Sequence, residues 1–165
     1  MKDTLKFILA GTEVTRYHTV KTLERETVGH HSHGVACLVW LLNPGASREL
    51  LLGALFHDLA EHQTGDIPSP AKREYGIGEQ VDRLERRLMR GAGIDYPGLS
   101  EADARTLKLA DIAQGALFCV REMSLGNRRM VVVYDRYVSY ANQMLLVGRE
   151  KELFNIIEEI QNGSK

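Results

Sequence analysis

The sequence predicts an all-α protein, and three observations carry that reading. The run Leu50-Leu51-Leu52-Gly53-Ala54-Leu55 leads into Phe56-His57-Asp58-Leu59-Ala60-Glu61. It is too apolar for a solvated surface and too long for one strand, so it reads as a buried helix. Around residue 31, a helical wheel gathers Val35, Leu38 and Leu42 within about an octant of His31, which is the stripe of an amphipathic helix. Val131-Val132-Val133 would tolerate a strand, yet no partner strand is evident. At 165 residues the chain fits one domain, 1–165, around a single substantial core.

Taken in order, residues 4–10 form a short amphipathic helix that Gly11 is placed to end. Residues 14–20 are β-branched and aromatic without helical periodicity, and read as an extended or looped segment. The second helix spans 27–42. It aims His31 down its apolar stripe, with His33 and Trp40 opposite and His30 flanking. Asn43-Pro44-Gly45-Ala46 is a turn. The helix carrying His57 and Asp58 follows. At about 100° per residue, Glu61 returns to the His57 face one turn later. Gly53 and Ala54 leave room on that side.

Thr64-Gly65-Asp66-Ile67-Pro68-Ser69-Pro70 breaks the helix and reads as a stiff loop suited to a rim or lid, with Lys72 and Arg73 behind it. Residues 79–90 make a charged, exposed helix. Residues 91–98 are a loop. Ser100 caps the next helix with Asp103 at its third position, and that helix runs to about Leu125. On it Asp111 shares a face with Leu107, Gly115 and Phe118. Residues 130–161 read as two helices hinged near Gly148.

Composition narrows the function classes. A net charge of -1 gives no electrostatic footprint for a nucleic-acid polymer. No apolar run approaches the ~20 residues of a membrane span. The start Met1-Lys2-Asp3-Thr4 lacks a signal-peptide pattern. Cys37 and Cys119 read as reduced core thiols, which fits a cytoplasmic protein.

His57-Asp58 by itself is equally a core histidine with its hydrogen-bonding aspartate. Three helices, however, each aim a ligand-type group inward: His31, His57 with Asp58, and Asp111. A buried charge needs a partner or a metal. Two histidines and two carboxylates suit a borderline divalent ion with positions left for water and substrate.

The order His…His-Asp…Asp resembles that of the HD-domain metal-dependent phosphohydrolases. Val28-Gly29-His30-His31-Ser32 is similar to the V-A/G-E-H-S element of their 5'-deoxynucleotidase branch, with His30 where that branch has glutamate. His57-Asp58-Leu59-Ala60-Glu61 resembles its H-D-x-x-E, and Thr64 to Lys72 its T-G-D-x-P-x-P-x-K. Leu109-Ala110-Asp111 resembles its final A-D. Arg16-Tyr17-His18-Thr19 looks like the R-Y/W-H segment of short phage-type members, some of which are dATP triphosphohydrolases.

The resemblance implies a helical HD bundle holding a divalent ion (Zn, Co, Mn or Mg, with a second ion a further option). His31, His57, Asp58 and Asp111 would be its ligands. Glu61, one turn from His57, would be general acid/base or water orienter. Asp66 would orient a water or hold the second ion. Arg16 and Lys72 would neutralise phosphate oxygens, Tyr17 and Thr19 would face sugar or base, and Pro70 would wall the base pocket. The expected reaction is dATP plus water to deoxyadenosine and triphosphate. The alternatives are a 5'-deoxynucleotidase acting on deoxynucleoside monophosphates and, in another class, a non-catalytic nucleotide-binding HD protein. A homo-oligomer is implied too, a dimer or an assembly of dimers such as a hexamer, in the cytoplasm or in the host's if phage-encoded. Arg73 and His62 would add basic groups beyond those a monophosphate needs.

Overall fold

The structure is a computed structural model and describes residues 1–163. Its helices are α1 (Lys2–Thr12), α2 (Val28–Leu42), α3 (Arg48–Phe56), α4 (Glu61–Thr64), α5 (Ser69–Glu74), α6 (Gly78–Gly91), α7 (Glu101–Ser124), α8 (Val131–Gln143) and α9 (Gly148–Gly163). A single 3-10 turn, Arg128–Met130, precedes α8. The described residues contain no sheet strand. One isolated antiparallel bridge, Thr15 to Thr27, ties the 14–20 segment to the start of α2.

Hydroxyl side chains start three of the helices that carry the core. Thr27 Oγ1 accepts from the His30 amide at the head of α2, Ser47 Oγ from Leu50 at the head of α3, and Ser100 Oγ from Asp103 at the head of α7. Each satisfies one of the amides that a helix leaves unpaired at its first turn.

The longest helix, α7, is the axis. It packs against α2 and α3 on one side and α8 and α9 on the other. Ala110, Ala113 and Ala116 are fully buried along it, and such small side chains let neighbouring helices approach closely. The main core joins Leu109, Ile112 and Cys119 of α7 to Met130, Phe154 and Ile157. A second cluster, Phe7, Leu59, Ala60, Met89 and Ile94, seats α1 and α6 against the segment that follows α3.

Several expectations need correction. Gly11 lies inside α1, one residue before its end, and does not terminate it. A Cβ there would sit 2.5 Å from the Leu59 carbonyl oxygen, so glycine is required by close approach of two backbones. Gly53 likewise does not open space above His57. It faces Leu99. Cys119 is buried, whereas Cys37 is exposed on α2. The expected loop of residues 64–70 gives way at Ser69 to α5, with Pro70 in its first turn, where a missing N–H is harmless. The helical reading of Val131 and Val132 agrees with the structure, where both belong to α8 and face outward.

Candidate metal centre

The helix read through His57 and Asp58 in fact stops at Phe56. Residues 57–60 form a tight turn, with Leu59 N–H bonding Phe56 O and Glu61 N–H bonding Asp58 O before α4 begins. The turn brings His57 and Asp58 together on the bundle-facing side. The imidazole Nδ1 lies 2.9 Å from Ala54 O. A carbonyl only accepts, so Nδ1 carries the proton and Nε2 keeps a lone pair.

His31, fully buried on α2, puts its Nε2 3.2 Å from His57 Nε2. Asp58 Oδ2 is 3.3 Å from His57 Nε2 and 3.6 Å from His31 Nε2. Asp111 Oδ1, from α7, reaches within 3.3 Å of His31 Nε2. The ligand atoms of His31, His57 and Asp58 all lie within 4.8 Å of one another. These separations test whether an ion fits. Bonds of about 2.0–2.1 Å in a four-coordinate geometry put neighbouring ligand atoms about 3.3 Å apart. The observed spacings bracket that value. A divalent cation resolves a cluster of lone pairs that otherwise repel, and the residues fit it.

The charges around this cluster are balanced from outside it. Burial alone would raise the Asp111 carboxyl, but Lys108, His31 and His57 hold it well below the usual range. Lys108 Nζ lies 2.8 Å from Asp111 Oδ2. Asp58 is likewise lowered against burial, by His57 and Arg16, and Arg16 donates to its Oδ2 at 2.9 Å. Burial lowers the basicity of His57, which favours the neutral imidazole that a metal needs.

Glu61, at the head of α4, is buried with Oε2 unpartnered. Burial pushes its carboxyl up to about 10. Asp58 and Asp66 add to the rise, and Arg16 and Lys72 oppose it. Asp66 stands outside the ligand cluster and accepts the Tyr17 amide at 3.2 Å, joining the 65–68 loop to the 16–20 turn. Tyr17 has a left-handed backbone (φ 57), its ring stacks on Phe118, and its hydroxyl is 3.0 Å from that of Tyr137. Thr19 is exposed and Pro70 half-buried at the rim. Lys72 has Glu85 at 3.9 Å.

Two basic groups counted from the sequence are engaged elsewhere. His62 Nδ1 donates to Leu59 O and its ring meets Phe7 edge-on. The Arg73 guanidinium lies over the Tyr140 ring at 3.8 Å. Sequence reasoning passed over Lys108 and Gln114, each three residues from Asp111 on α7. Helical spacing alone would have placed both beside that carboxylate. It also passed over Glu26 and Tyr137, for which nothing local gave a signal.

Comparison with known proteins agrees with this geometry. Residues 12–92 match the model of the HD domain, a span that contains His31, His57 and Asp58. The chain is 29% identical to a 5'-deoxynucleotidase of Enterobacter sp. (strain 638) and 26% identical to one of Citrobacter koseri, with 74% of each chain covered in both cases. Its fold matches a cyanophage S-2L HD phosphohydrolase, solved with dA and one catalytic Zn2+, at a TM-score of 0.75, 18% identity and 96% of both chains. A Pyrococcus horikoshii protein matches over 100% of both chains at a TM-score of 0.73 and 21% identity. The lone-pair cluster and the domain that encloses it agree: residues 12–92 form an HD domain, the chain has the fold of an HD phosphohydrolase, and His31, His57 and Asp58 are placed where they could hold a metal ion.

Proposed function

We propose that the protein hydrolyses deoxynucleotides at the α-phosphorus, with dATP as its best substrate, releasing deoxyadenosine and triphosphate. The observation that carries this reading is the set of cations around the ligand cluster. Arg16 touches Asp58, Lys108 touches Asp111 and is 57% exposed, and Lys72 acts on Glu61 from the rim. A triphosphate brings more negative charge to these groups than a monophosphate does.

When bound by His31, His57, Asp58 and Asp111, a divalent ion supplies a nucleophilic water at neutral pH and polarises a phosphoryl oxygen. The chain's own groups do the rest. Arg16 and the two lysines hold phosphate oxygens in place. Glu61, whose buried carboxyl keeps its proton at neutral pH, gives that proton to the 5' oxygen as the P–O5' bond breaks and regains one from the attacking water. Asp66 orients that exchange by fixing the turn that carries Tyr17. Tyr17 flanks the sugar, Pro70 walls the base pocket, and Thr19 crowds the 2-position of the purine. Such crowding discriminates by only ~1–3 kcal/mol, so other dNTPs leak through.

The second reading, a 5'-deoxynucleotidase, is favoured by the engagement of His62 and Arg73, which leaves fewer free cations than the sequence offered. The sequence relatives named above carry that activity. Incubation with dATP and with dAMP in Mn2+, Co2+ or Zn2+, with products resolved by chromatography, decides between them. Triphosphate from dATP at the higher kcat/KM supports the first reading. Orthophosphate from dAMP at the higher kcat/KM establishes the second. Exposed Val131, Val132, Leu145 and Val147 support a homo-oligomer as well. Sedimentation showing only an 18.5 kDa species removes that part.

A further inference from the structure

The two histidines of the centre meet different kinds of partner at Nδ1. His57 is held by the carbonyl of Ala54, three residues earlier in its own segment. His31 depends on side chains from two other parts of the chain. Its Nδ1 lies 2.5 Å from Gln114 Oε1, and Gln114 Nε2 donates to Glu26 Oε1 at 2.7 Å.

We infer that Glu26 and Gln114 are positioning residues for the metal: they form a relay that fixes the proton of His31 on Nδ1 and so presents the Nε2 lone pair to the ion. The direction of the relay is forced by donor and acceptor chemistry. A carboxylate only accepts, so the amide nitrogen of Gln114 must turn to Glu26. The amide oxygen then faces His31, and Nδ1 must donate to it. The opposite amide orientation would set nitrogen against ring N–H and oxygen against carboxylate, in a site where His31 is fully buried and Glu26 is 5% exposed. A buried polar group left unpaired there costs ~1–3 kcal/mol.

Two further features bear on this chain of contacts. Glu26 Oε2 lies 3.2 Å from Arg16 Nε, off the hydrogen-bond axis, so Arg16 compensates its charge electrostatically. The same guanidinium donates to Asp58, so the relay closes into a ring: His31, Gln114, Glu26, Arg16, Asp58. Gly34, one turn after His31 on α2, leaves the space that Gln114 fills, since a Cβ there would lie 2.9 Å from Gln114 Cγ.

The inference rests on the site being a metal centre, and the test separates the two claims. Long-range 1H–15N correlation on the metal-free protein reads the tautomer of each histidine, and competition with a chelator gives the Kd for Zn2+. The wild type is expected to show His31 with a pyrrole-like Nδ1 and a pyridine-like Nε2, as His57 does. Gln114→Met keeps the volume but removes the acceptor. Glu26→Gln keeps the shape but frees the amide to turn either way. Both are expected to mix the His31 tautomers, leave the His57 signature in place, and weaken Zn2+ binding by ~10–100-fold. Wild-type tautomer and a Kd within twofold of wild type in Glu26→Gln overturn the relay, even if Gln114→Met fails to fold. A wild type that binds no Zn2+, Co2+ or Mn2+ overturns the metal centre itself.

Discussion

The floor of the site and its rim are built on different principles. On the floor, His31, His57, Asp58 and Asp111 come from α2, α7 and the 57–60 turn, and each is held by a named partner within the bundle. At the rim, Thr19 is exposed, Pro70 half-buried, and Lys72 has only a distant carboxylate at 3.9 Å. The floor is pre-organised because a buried cluster of like lone pairs survives only if each group is separately fixed. The rim can stay loose because solvent satisfies its polar groups. On the function proposed above, the floor sets the chemistry and the rim sets which substrate receives it.

That contrast can be broken most sharply on the floor. Asp58→Ala and His31→Ala are each expected to abolish both stoichiometric metal binding and hydrolysis. A His31→Ala protein with full metal content and activity would show that another histidine of the cluster, His33 first, is the ligand. Next in size is Glu61→Gln, expected to retain metal and substrate while kcat falls ~10²–10⁴-fold. Metal loss in that variant would move Glu61 among the ligands.

Between floor and rim lies the contact of α1 with the 57–60 turn. Gly11→Ala must push against the Leu59 carbonyl, a backbone atom that cannot swing aside. A loss of ~1–3 kcal/mol in denaturant unfolding is expected, as for other overpacked sites. An unchanged midpoint would show that the turn moves freely.

Glu61 also predicts a pH effect in the metal-free protein. Its carboxyl is raised in the fold from an ordinary value of 4.5 to about 10. The unfolded chain therefore releases a proton that the folded chain keeps. This contribution is complete below 4.5 and is lost as pH rises through the folded value. His57 is shifted the other way, so its contribution is lost as pH falls. Thermal stability is thus expected to decline between pH 7 and 10, and Glu61→Gln to flatten that decline. A wild-type slope preserved in the variant would sink the assignment.

The smallest effects belong to the rim. Lys72→Ala is expected to raise KM several-fold, more for a triphosphate than for a monophosphate, with kcat little changed. Equal losses on both substrates would leave the charge argument for the triphosphate without support.

The all-α class, the cap at Ser100 and the residues that converge as His31, His57, Asp58 and Asp111 follow from the chain's own pattern. These were legible because helical periodicity and capping act over three or four residues, and an ionisable group in an apolar stripe stands out locally. The sequence did not reveal that the helix ends at Phe56, because Leu59 and Ala60 continue the apolar pattern beyond that point. Glu26 was invisible as a partner of Gln114, 88 residues away, and Tyr137 as a partner of Tyr17, 120 residues away. Charge counting also misplaced His62 and Arg73, which the fold spends on Phe7 and Tyr140. The partners of His31 Nδ1 and of the Arg73 guanidinium lie far apart in the chain, so they emerge only when the fold brings those segments together.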